Sequence, residues 1–207
     1  MGKIFSYDGS FIRTLEKICD LMLLHFFWII SSIPIITIGA STTALMSVSM
    51  KSIRGEDGYV FKDFVNEFKK NFRKSTCIWA LFFSFILSDI GLIYFAFHNG
   101  SNMAKIYELI ELAMLLLVCF ALVFVFAIQA RFENSVINTI KNSFILSLRH
   151  LPTTIAIILI FILPVAATVY LAQLRPVMIF LWIFFGSSLI AQADAYLFVK
   201  LFKAYEE

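Results

Sequence analysis

The stretch IISSIPIITIGASTTALMSVSM, residues 29–50, decides how the rest of the chain is read. It places Pro34, Gly39 and a ladder of small hydroxyl residues inside an otherwise apolar region. Read as continuous with the apolar run before it, it leaves five membrane-spanning helices. Broken at Pro34, it yields two helices, over 18–34 and 35–53, and a total of six. Proline has no backbone N–H, so a helix boundary is where it costs least.

The surrounding composition makes the membrane the relevant solvent. The chain has 207 residues, of which 60% are hydrophobic and 15% charged, with 24 Phe, and its mean hydropathy is +0.87. A soluble domain is typically about 45–50% apolar and about 25% charged. A span of the hydrocarbon core takes about 20 mainly apolar residues, and residues 75–97, 107–130, 153–172 and 177–199 each supply such a run beside 18–34. In lipid every backbone N–H must be satisfied within its own segment, which excludes an open sheet. The expected fold is therefore all-α, a single polytopic membrane helix bundle over residues 1–207. No cleavable leader is expected, because the first apolar run starts only after Lys17 and no small-residue cleavage pattern follows it. Cys19, Cys77 and Cys119 show no CxxC spacing and are expected as small buried apolar residues rather than as disulfides or ligands.

Charge placement separates five spans from six. With five spans and the amino terminus outside, Lys and Arg divide 12 inside against 5 outside. With six spans and both termini inside they divide 15 against 2, the two being Lys105 and Arg175. The positive-inside rule favours six. The second span, the most polar, carries a row of small residues (Gly39, Ala40, Ala44 and Ser47) that lets helix backbones approach closely. It is expected in the interior of the bundle.

Two segments between spans read as cytoplasmic amphipathic surface helices. In 61–73, Phe61, Phe64, Val65, Phe68 and Phe72 form a helical stripe, with Lys62, Lys69, Lys70 and Arg73 mostly off it. In 132–148 the corresponding stripe is Val136, Ile137, Ile140 and Phe144. Cations so placed suit anionic headgroups; the position between two spans favours the lipid bilayer over nucleic acid as their partner. The two segments align at an offset of 72 residues, matching Phe72 to Phe144 and Ser75 to Ser147, a pattern that an internal parallel repeat would produce.

Pro34-Ile-Ile-Thr37-Ile-Gly39-Ala40, with Phe68, Asn71 and Phe72 further on, resembles the YesL-like family of bacterial membrane proteins, a domain of unknown function. The resemblance implies a multi-pass protein of the bacterial cell membrane. Members of that family are usually encoded beside carbohydrate ABC importers, glycan-degrading enzymes and sensor kinases. A role tied to sugar uptake or its sensing follows as an expectation, with an importer or kinase as partner and no reaction or catalytic residue to carry over.

Candidate chemistry comes from ionisable groups inside spans, which are costly there and often functional. Asp89 in the third span and Asp194 with Gln192 in the sixth are the main ones, Asp20, His25, Glu108 and Glu111 lying nearer span ends. A polar path for a proton, cation or sugar hydroxyl is one reading of Asp89 and Asp194; a carboxyl hydrogen-bonded to a neighbouring helix is the other. No phosphate loop, HExxH or GxSxG motif is present and the three His are scattered, so neither an enzyme, a cofactor nor a metal site is expected. Three roles remain: an accessory or regulatory component of a sugar-uptake or sensing system, a small secondary transporter or channel, in that case as a homo-oligomer, and a scaffold or lipid-packing protein without a ligand.

Overall fold

The computed structural model describes residues 10–56, 58–99 and 102–206, and these fold into seven α-helices with no strand among them. They are α1 (Ser10–Ser32), α2 (Ile38–Ile53), α3 (Val60–Asn99), α4 (Asn102–Arg131), α5 (Val136–Arg149), α6 (Leu151–Tyr170) and α7 (Arg175–Glu206), with a single 3-10 turn, Ile35–Thr37, between α1 and α2.

The break at Pro34 is real, and α2 is the interior element that its hydroxyl ladder suggested. From Gly39 to Met50 every residue but Thr42 is buried, and α2 packs against α1, α3, α4 and α7. Its small residues explain the packing. A Cβ on Gly39 would stand 2.5 Å from the Ser75 carbonyl oxygen and 2.6 Å from the Trp79 Cβ, so α2 and α3 meet backbone to backbone there. Around α2 lie three apolar clusters. Met46 and Met50 pack with Phe124, Ile128, Phe198 and Phe202. Ala44, Leu45 and Val48 pack with Leu24, Phe64 and Ala191. Ile78 and Phe82 pack with Val118, Val125 and Phe126 between α3 and α4.

Among the described residues, four helices are long and apolar enough to cross a membrane: Val60–Leu92, Leu109–Arg131, Leu151–Tyr170 and Arg175–Tyr205. The other two expected spans differ for physical reasons. Helix α1 carries Arg13, Glu16, Lys17 and Asp20 in its first half. Helix α2 has 16 residues, about 24 Å of axis against the ~30 Å of a hydrocarbon core.

The expected surface helix 61–73 is not a separate element. It runs without interruption into 75–97 as the 40-residue α3, since neither Gly nor Pro stands between Lys62 and Asp89 to stop it. Its Phe stripe docks on α1: the Phe27 ring lies 5.2 Å from that of Phe61 and 6.0 Å from that of Phe64. The segment expected over 132–148 is a separate helix, α5, started by the Ser135 side chain capping the Asn138 N–H and followed by α6, which has Pro152 in its first turn. Its inward row is Thr139, Ser143 and Ser147, flanked by Val136, Ile140 and Phe144 against the α3–α4 cluster. Ile137, expected in the apolar stripe, is exposed instead. The three cysteines, expected buried, are free and exposed.

Candidate functional site

The most specific buried chemistry lies at the end of the bundle that collects the cations. Lys51 Nζ on α2 donates to Glu67 Oε1 on α3 at 2.8 Å. Glu67 Oε2 accepts from Asn71 Nδ2, one turn along α3, at 3.3 Å. Asn71 Oδ1 accepts from Gln129 Nε2 on α4 at 3.2 Å. Gln129 Oε1 accepts from the Thr139 hydroxyl on α5 at 3.1 Å. Five side chains thus join four helices in one hydrogen-bonded chain, and Asn71, Gln129 and Thr139 are all buried. A low-polarity interior strengthens such a chain and makes each broken link costly. At its edge Lys70 pairs with Glu133 at 3.1 Å, and Lys74 Nζ donates to the Asn134 carbonyl at 2.9 Å. The hydrogen bond from Lys70 holds the Glu133 carboxyl below its usual range; Arg54 does the same to Glu56.

The Pro34 motif is a turn in which several carbonyls are met from within. The Thr37 hydroxyl lies 2.6 Å from the Ser31 carbonyl and 2.7 Å from that of Pro34. Trp79 Nε1 on α3 donates to the Ile35 carbonyl at 2.8 Å. Gly39 and Ala40 then enter the close α2–α3 contact. The supporting residues divide: Phe68 lines the α1–α2–α3 cluster, Asn71 belongs to the buried chain, and Phe72 is exposed.

The two carboxyls expected within spans lie apart. Asp89 is 3% exposed, its Oδ2 has no hydrogen-bond partner, and its carboxyl group stands within hydrogen-bonding reach of that of Glu111 on α4. Asp194 is 8% exposed, and its Oδ1 has no partner. Asp89 stands 25 residues along α3 from Phe64, about 37 Å of helix axis. Ala191, one turn before Asp194, shares a cluster with that same Phe64, so the two aspartates occupy opposite ends of the bundle rather than one site.

Gln192 faces different surroundings. It lines a cavity of about 310 Å³ at the cation-rich end, among Arg13, Glu16, Asp20, Lys51, Glu56 and Asp63. His25 is held as a neutral imidazole: Nδ1 accepts from the Ser187 backbone N–H at 3.2 Å and lies 2.8 Å from its hydroxyl, leaving Nε2 to donate to the Ile183 carbonyl at 3.1 Å. Among the described residues no group of three or more His, Cys, Asp or Glu could hold a metal ion. Glu108 lies outside the residues whose side chains are described.

Sequence patterning missed Gln129, a lone amide near the end of an apolar run. It also treated Glu111 only as a helix-opening carboxylate, not as the neighbour of Asp89. The one usable signal for Gln129 was its rarity, since it is the only amide between Leu109 and Arg131.

Residues 21–95 match the family described as "Protein of unknown function, DUF624". The match is consistent with the YesL-like resemblance and covers its whole motif, from Pro34 to Phe72. No curated protein and no solved structure matches the chain.

Proposed function

We propose that this chain is a multi-pass protein of the bacterial cell membrane, with both termini on the cytoplasmic side, that serves as an accessory or regulatory component beside a carbohydrate importer or its sensor. In this reading α3, α4, α6 and α7 cross the bilayer and the α1–α2 hairpin completes a bundle of six embedded helices, with α5 lying across the cytoplasmic end. The observation that carries the docking role is the make-up of that end. The Lys51–Glu67–Asn71–Gln129–Thr139 chain ties four helices together, while Ile137, Ile145 and Leu148 of α5 remain exposed beside Lys141. A rigid support with exposed apolar side chains and cations suits a protein contact at the membrane surface. The link to carbohydrate rests on the family resemblance.

A photo-crosslinking residue at Ile137 or Ile145, introduced in intact cells, tests it. The expected product is an adduct with a permease, an importer ATPase or a sensor kinase; adducts with the chain itself alone would overturn the accessory role.

A second reading, a small secondary transporter, is favoured by one observation. Asp89 keeps a buried carboxyl oxygen unpartnered close to a second carboxyl, Glu111. In this reading the two carboxyl groups hold the transported proton or cation between them.

A further inference from the structure

We infer that the α1–α2 hairpin does not cross the bilayer: it dips into the leaflet on the cation-rich side and seats Ile33, Pro34, Ile35 and Ile36 at the acyl boundary of the lipid. The inference rests on the membrane reading above and concerns the depth of this hairpin alone.

The register between α2 and α3 carries the argument. Lys51 meets Glu67 and Thr43 meets Ser75, so residues 43–51 run antiparallel beside residues 67–75. That stretch of α3 exposes Lys69, Lys70, Arg73 and Lys74. Placing a cation at the bilayer centre costs about 2.5–3.5 kcal/mol on insertion scales. Four of them beside α2 hold most of that helix at headgroup level, where Lys69 and Arg73 can meet anionic lipid while Lys70 and Lys74 pair with Glu133 and the Asn134 carbonyl.

Only the turn goes deeper. Trp79, which holds the Ile35 carbonyl, stands five residues past Lys74, about 7.5 Å of helix axis. Beyond it α3 continues for another 20 residues to Asn99, about 30 Å and enough for a crossing of its own. The tip therefore sits near the start of the apolar length of α3.

The chemistry of the tip fits that depth. Ile33, Ile35 and Ile36 are 73%, 59% and 60% exposed, yet the carbonyls of Ser31, Pro34 and Ile35 all have donors and Pro34 has no N–H to satisfy. Apolar side chains outward, with these three carbonyls bonded from within, suit a turn at the acyl boundary, where an unmet polar group is costly. Surface-bound amphipathic segments bury their apolar faces about 5–10 Å into this zone. Charge counting does not separate such a hairpin from two crossings, because no Lys or Arg lies between Ile18 and Met50.

Ile33→Cys and Ile36→Cys, each in the full chain with the three native cysteines replaced by Ser, test the proposal in membrane vesicles of both orientations, with Glu56→Cys as a reference. Neither tip position should react with an impermeant maleimide from either side, although both react after denaturation. A bimane attached at Ile36→Cys in liposomes should be quenched more by lipid carrying a nitroxide at acyl carbon 5 than at carbon 12. Labelling from the side opposite Glu56→Cys would show a full crossing. Labelling as fast as Glu56→Cys from the same side would place the tip in water, and an unquenched bimane would place it against protein; any of these overturns the proposal. Release of the whole chain by alkaline carbonate would instead remove the membrane reading itself.

Discussion

Gln129 Nε2 donates to Asn71 Oδ1 at 3.2 Å across the α3–α4 contact, and both side chains are buried. Truncating one partner leaves the facing polar atom of the other without its bond, at about 1–3 kcal/mol. Asn71→Leu and Gln129→Leu should each lower unfolding stability in detergent by that amount. The double variant should lose less than the sum, with a coupling of about 0.5–3 kcal/mol. Additive losses in denaturant titrations would show that the two amides do not depend on each other.

How much of this was legible in the sequence depends on whether the signal is local. Pro34 stands where an apolar run meets a hydroxyl-rich one, a place where a helix boundary costs it least, and a run such as Ser41-Thr-Thr-Ala44 is stable in an apolar setting only when shielded, so the turn and the interior position of α2 could be read directly. The continuity of α3 could not. Its periodicity changes near Lys74 from a one-sided stripe to an all-round apolar run, which resembles an element boundary, but the backbone needs a breaker to stop and has none there. In α5, Ile137 fits the stripe by spacing; only the packing of Thr139, Ser143 and Ser147 against α4 turns it outward. Asn71 to Gln129 spans 58 residues, and no local pattern reports a pair at that distance.

Gly39 tests the α2–α3 contact. With the Ser75 carbonyl oxygen and the Trp79 Cβ both 2.6 Å or less from an added methyl group, Gly39→Ala must push two backbones apart, at about 1–3 kcal/mol. Gly91→Ala is the control, since nothing lies within 4 Å of a Cβ there and alanine favours helix by about 0.5–1 kcal/mol. Thermal unfolding in one detergent should show the first variant destabilised and the second unchanged or improved; equal midpoints would remove the close approach.

Thr37 tests the turn. Its hydroxyl serves the carbonyls of Ser31 and Pro34, so Thr37→Val keeps the shape and removes the donor, while Thr37→Ser restores it. The valine variant should lose about 1–3 kcal/mol and the serine variant most of that less. If the serine variant loses stability and the valine variant does not, the methyl group rather than the hydroxyl holds the turn.

Asp89 separates the two functional readings. As a structural group it gains little from its carboxyl: Asp89→Asn keeps the volume and should leave the protein as stable or more so, because Asp89 Oδ2 is buried without a partner, which is costly. As a transport group its proton or cation exchange is the function, and the same substitution abolishes coupled flux while stability stays put. The two outcomes are read together, by unfolding in detergent and by pH-gradient-driven uptake into proteoliposomes, with Glu111→Gln as the partner variant. Because Asp194 stands at the other end of the bundle, Asp194→Asn should not reproduce the Asp89→Asn effect on flux. Matching losses from both aspartates would mean that one pathway runs the length of the molecule, which the separation along α3 does not predict.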